Sequence, residues 1–123
     1  MDNAIYTDKK GRALRGHDVV AYFTLGEQTE GDPAITSEWG GATWLFATTE
    51  HRDLFDADPT RYAPAFGGHC AVGRAVGGNF PGSPKRWRIE DERLFMNKNL
   101  LASLHFPLFA RRIRRLDSGG GSR

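Results

Sequence analysis

The 123-residue sequence predicts a compact α+β domain of short antiparallel hairpins and several short helices. Three observations lead there. Aromatic and β-branched residues flank turn signals twice, across residues 36–47 and again across 87–96. The helical signals between them are short and are broken by Gly or Pro. A content of 39% hydrophobic and 26% charged residues suits one modest core in a chain of this length. Hairpins interleaved with short helices argue against a doubly wound parallel sheet.

The elements follow in order. Residues 1–15 are polar and read as an extended arm or short strand, with the domain beginning near residue 12. Asp18 is placed to cap a short helix over 19–23, since its carboxylate can accept backbone N–H groups one turn on. A Gly, Asp and Pro cluster at 26–33 marks a loop. Residues 36–39, the Gly40-Gly41 pair and residues 43–47 form the first predicted hairpin. Thr49 then caps a helix in which His51, Leu54 and Phe55 share a face, and Pro59 ends or kinks it. Gly67 and Gly68 break the chain before a helix over about 69–76, which Gly73 weakens. A loop over 77–84 leads to the second hairpin, residues 87–89 and 94–96 about an acidic turn at 90–93. Asn97 is expected to cap a final helical region that Pro107 interrupts. No internal repeat and no dividing linker is evident. The expected organisation is an arm at 1–11, the domain at 12–104, and a basic helix with a flexible SGGGSR end at 105–123.

Charge is uneven. Residues 1–104 carry 12 Lys and Arg against 14 Asp and Glu, a net of −2, whereas residues 105–123 carry five Arg against Asp117, a net of +4. Phe109, Ile113 and Leu116 recur at helical spacing, so a helix from about Leu108 would gather them on one face and leave Arg111, Arg112, Arg114 and Arg115 on the others. Such a helix either docks on the domain or offers its arginines to an anionic surface. Without interleaved aromatics on the arginine face, nucleic acid is not the expected partner. No apolar run approaches the roughly 20 residues that cross a bilayer. MDNAIYTDKK lacks the basic start and apolar stretch of a signal peptide, so a cytoplasmic location is the default expectation, with an exported form left open. Oligomerisation is left open as well.

The chemistry-bearing stretch is DADPTRYAPAFGGHCAVG, residues 56–73, which holds the sole cysteine, Cys70, beside His69. One cysteine excludes an internal disulfide. At a helix start Cys70 would favour its thiolate; as a free cysteine it equally suits the core. His17, His51, His69 and Cys70 supply nitrogen and sulfur donors of the kind that hold Zn or Cu, but without close C-x-x-C or H-x-x-x-H spacing. His51 with Cys70 is the candidate metal pair. Tyr22, His51, Tyr62, His69 and Cys70 are the candidate pocket residues, and the remaining aromatics read as core. No phosphate loop, dinucleotide fingerprint, serine elbow or zincin helix is present, so no catalytic residue is assigned.

The segments LRGHDVVAYF, WGGATWLFATTEHRDLFDADPTRYAP, FGGHCA and PGSPKRWRIEDERLFMN occur in the order and spacing of stand-alone bacterial YHS-domain proteins, and the resemblance covers about residues 12–99. It implies the same α+β architecture. YHS modules are linked to heavy metals in some copper-transport ATPases and phenol hydroxylases. The metal-linked members resemble DPVCGM followed by YFCSxxC, and their cysteines would fall here on Ala21, Ala47 and His51. Three function classes follow: a non-catalytic binding or accessory module of the YHS type for a soft metal or small ligand; a thiol enzyme or redox sensor using Cys70; and an interaction protein using the Arg-rich tail.

Overall fold

The computed structural model describes residues 4–121, with side chains described through Ser118. Met1, Asp2 and Asn3 of the expected arm, and Ser122 and Arg123 of the expected flexible end, lie outside the described residues. The fold is α+β, as the hairpins and short helices predict. A 3₁₀ turn at Leu14–Gly16 leads to α1 (Val19–Thr24), then β1 (Asp32–Trp39), β2 (Ala42–Phe46) and α2 (Thr49–Ala57). After α3 (Pro59–Tyr62), a second 3₁₀ turn at Ala65–Gly68 leads to α4 (Ala71–Ala75), β3 (Ser83–Glu90), β4 (Arg93–Asn97) and α5 (Leu100–Gly121). Each hairpin is its own two-stranded antiparallel sheet.

That order is one unit stated twice, which corrects the expectation of no internal repeat. Leu14, Arg15 and Gly16 have φ of 52°, 52° and 83°, and Phe66, Gly67 and Gly68 repeat this left-handed run at 58°, 66° and 90°. His17 and His69 follow, and each ring Nδ1 donates to a carbonyl three residues back, Leu14 O at 3.0 Å and Phe66 O at 2.8 Å. Asp18 N donates to Thr29 O at 2.8 Å and Cys70 N to Phe80 O at 2.8 Å; Gly31 N reaches Gly16 O, and Gly82 N reaches Gly68 O. Asp18 and Cys70 then cap α1 and α4. The strand registers shift at corresponding places, between Asp32 and Thr36 and between Ser83 and Trp87. Phe55 and Phe106 are the fully buried anchors of the two following helices. Few of the matched residues are identical, so the repeat lives in backbone conformation and capping, which do not show as residue identity.

Each half builds its own core. Val19, Val20, Tyr22, Trp44, Phe46, Phe55 and Tyr62 form the first, and Phe66, Cys70, Ala71, Phe95, Phe106 and Ile113 the second. β4 joins them by strand alternation: Leu94 and Met96 enter the first core while Phe95 enters the second.

Several boundaries differ from expectation. Thr48, not Thr49, caps α2, its hydroxyl accepting from His51 N at 3.1 Å. Asn97 is the buried last residue of β4, and Asn99 caps α5 by accepting from Ala102 N at 2.9 Å. α5 starts at Leu100 and runs through Pro107 without interruption. A proline within a helix loses one hydrogen bond and crowds the preceding turn; here the buried side chains on either side, Phe106 and Ile113, hold the helix to the second core. The docked reading of the C-terminal helix is correct: Ile113 is fully buried, with Phe109 and Leu116 packed beside it.

Candidate functional site

The densest polar arrangement is centred on Asp18, which is fully buried. Its Oδ1 accepts from Val20 N at 2.9 Å and Ala21 N at 3.1 Å, the capping bonds expected from sequence. Its Oδ2 accepts from Ala47 N at 2.8 Å and His51 Nδ1 at 2.7 Å. An ionised carboxylate only accepts, so His51 Nδ1 carries a proton and donates it, while the ring's Nε2 lies 3.0 Å from Thr24 Oγ1. One carboxylate therefore ties α1 to the start of α2 and to the chain leaving β2.

Thr24, His51 and Asp18 have the connectivity of a hydroxyl, imidazole and carboxylate relay. The amides following Thr24 are already committed, Leu25 N and Gly26 N both donating to Ala21 O at 2.8 and 3.0 Å, so they offer no oxyanion donor. Thr24 Oγ1 also leans back on Val20 O at 3.4 Å. The same contacts join the end of α1 to the start of α2. An imidazole braced on Nδ1 by a carboxylate is also how many metal-bound histidines are held, but no group of three or more His, Cys, Asp or Glu side chains gathers around a common point among the described residues.

Cys70 occupies the position in the second half that Asp18 occupies in the first. It is buried. Its Sγ accepts from Gly73 N at 3.3 Å, capping α4, and donates toward Asn97 Oδ1 at 3.7 Å. Asn97 Oδ1 also accepts from Val72 N at 3.3 Å. A thiol and an amide thus share the work that a single carboxylate does around Asp18, leaving Asn97 Nδ2 as a buried atom without a partner. Burial removes the access to solvent that a reactive thiol needs, so the core reading of Cys70 fits the structure.

The remaining candidates are dispersed. Tyr22 is buried and its hydroxyl donates to Pro84 O at 2.7 Å, with Trp87 against its ring at 5.1 Å, so it links the two halves. Burial, and secondly the nearby Asp18 charge, hold its hydroxyl well above the ordinary tyrosine pKa. Tyr62 is buried against Phe23 at 5.2 Å in an edge contact. His69 packs on Tyr6 at 5.6 Å. His51 is bonded to Asp18 and Thr24 in the first half, and Cys70 to Gly73 and Asn97 in the second. Arg114 pairs with Glu90 at 2.8 Å and Arg112 Nε donates to Ala75 O at 2.7 Å, whereas Arg111 and Arg115 are exposed without a carboxylate partner among the described residues.

Sequence reasoning placed Asp18 as a cap and missed its reach to Ala47 and His51, for which no local spacing gives a signal. It also missed the exposed leucines of α5. Leu100, Leu101, Leu104 and Leu108 are 51%, 65%, 67% and 78% exposed. Their i, i+1, i+4, i+8 spacing was a readable sign of one apolar face. No helix among the described residues is long and apolar enough to cross a membrane. Compared with protein-family models, with curated proteins and with solved structures, the chain matches none.

Proposed function

We propose that this protein is a non-catalytic accessory module of the YHS type that works by contact, through the outward face of α5. The observation that carries the reading is the exposed leucine stripe, which the core does not use. A helix packed on a domain ordinarily turns its polar side to solvent; α5 instead turns four leucines outward, continued by Arg111 and Arg115.

The Asp18 centre supports the same reading. Ala21, Ala47 and His51, the positions at which metal-linked YHS members carry cysteine, all direct a hydrogen bond to this one carboxylate. Two methyl side chains and a carboxylate-bound imidazole stand where thiolates would hold a soft cation, so the polar centre serves the fold. The reading predicts that a photo-reactive benzoylphenylalanine at position 104 forms adducts in the producing cell. The same residue in place of exposed Lys85 is the control. Equal adduct yields at both positions, or none at 104, would remove α5 as the working surface.

A further inference from the structure

We infer that the outward face of α5 docks on an anionic lipid surface, the leucines entering the headgroup boundary and the arginines contacting the lipid phosphates. This rests on the reading of α5 as the working surface and names its partner.

The internal repeat supplies a control within the chain. α2 holds the same place in the first half that α5 holds in the second: Thr48 and Asn99 cap them and Phe55 and Phe106 anchor them. Counting from those anchors, the exposed Glu50, Asp53 and Ala57 of α2 correspond to Leu101, Leu104 and Leu108 of α5. The fold therefore accepts carboxylates or a methyl at these positions, and nothing in its packing calls for leucine. The apolar stripe is a property of the second half alone.

Charge selects the occupant. From Lys98 to Leu116 the chain carries Lys98, Arg111, Arg112, Arg114 and Arg115 and no carboxylate. Lys98 Nζ lies over the exposed ring of Phe80 at 4.4 Å, which places an aromatic and a cation at the leucine end of the helix. A second copy would bring a second set of cations to the same face. Nucleic acid would use the arginines and leave the leucines exposed to water. An anionic bilayer takes both, apolar side chains into the acyl boundary and arginines at the phosphates. Leucine at one end of the stripe and arginine at the other implies a tilted helix with its N-terminal half deeper.

The test is co-sedimentation of the full chain with vesicles of phosphatidylglycerol and phosphatidylcholine, against phosphatidylcholine alone. Binding should require the anionic lipid and weaken as salt rises. Leu104→Ser with Leu108→Ser, which alters no charge, should weaken binding by roughly tenfold or more. Arg111→Gln with Arg115→Gln should weaken it by about fivefold for each charge removed. Unimpaired binding by either variant, or no sedimentation with anionic vesicles, overturns the proposal. A solution dimer that Leu104→Ser with Leu108→Ser dissolves would give the face to a second copy and overturn it too. Photo-adducts at position 104 that contain protein and no lipid would sink the lipid assignment while leaving the contact reading standing.

Discussion

Asp18→Asn isolates the buried carboxylate at nearly constant volume. In the native protein Oδ1 serves two backbone amides, while Oδ2 serves the Ala47 amide and the His51 ring. An asparagine has one carbonyl oxygen for these two places. With that oxygen kept on Val20 and Ala21, its NH2 faces the ring and the Ala47 amide. His51 can adapt by moving its proton to Nε2 and donating to Thr24, whereas the Ala47 amide has no second choice. One orphaned buried amide costs about 1–3 kcal/mol, and loss of the charge-assisted cap adds about 1 kcal/mol. The expected loss is about 3 kcal/mol, a large share of the roughly 5–15 kcal/mol that holds a domain together. Urea unfolding followed by tryptophan fluorescence should show the midpoint about 2 M lower, with a slope near 1.5 kcal/mol per M unchanged. His51→Ala leaves the three amides satisfied and should cost only about 1–2 kcal/mol. An Asp18→Asn loss below about 1 kcal/mol, or one equal to that of His51→Ala, would refute the assignment of the Ala47 amide as the critical partner.

Other consequences are open to measurement. Tyr22→Phe should cost about 1–2 kcal/mol at neutral pH by orphaning the Pro84 carbonyl. It should also flatten the alkaline limb. The native fold keeps the Tyr22 hydroxyl protonated while the unfolded chain ionises near the ordinary value of about 10, so wild-type stability falls as pH rises above that value and this contribution vanishes in the variant; tyrosinate absorbance across the unfolding transition reports it. Asp91 and Glu92 hold φ of 52° and 64° in the second hairpin turn, where the first hairpin uses Gly40 and Gly41. Asp91→Asn with Glu92→Gly should raise the melting temperature by relieving about 1 kcal/mol, and a fall would show that the acidic turn makes contacts that offset its strain. Truncation after Phe106 removes buried Ile113, half-buried Phe109 and Leu116, and the Arg93–Asp117 pair at 2.8 Å; a loss of about 4 kcal/mol or more is expected, and unchanged melting would mean that the helix is not part of the fold.

The legible parts of the fold were those written in local chemistry. Asp18 as a cap, the Gly40-Gly41 turn and the period of Phe109, Ile113 and Leu116 each depend on residues within a few positions of one another. Residues committed across the chain were not legible. Asn97 has the look of a helix cap, yet Asn99 takes that role because Asn97 turns inward to Cys70 and the Val72 amide. Pro107 has the look of a break, yet α5 continues through it. The repeat escaped because the halves solve the same backbone problem with different atoms, Asp18 on one side and Cys70 with Asn97 on the other.

That difference in atoms separates what the fold needs from what it leaves free. Where both halves agree, in the left-handed run before each cap, the histidine that follows it and the buried Phe55 and Phe106, substitution should disturb folding. Where they disagree at exposed positions, the fold is indifferent and the divergence belongs to something outside it. Leu101→Glu with Leu104→Asp puts onto α5 the carboxylates that α2 carries at Glu50 and Asp53. Both sites are exposed, so stability should change by no more than about 0.5 kcal/mol per site. A carboxylate at position 101, in the first turn of α5, suits the positive end of the helix dipole, a change of a few tenths of a kcal/mol in favour of the variant. Denaturant unfolding of the double variant is therefore the direct check on the leucine stripe. A loss above about 2 kcal/mol would mean that the leucines pack against the domain after all, and the case for α5 as a contact surface would fall with it.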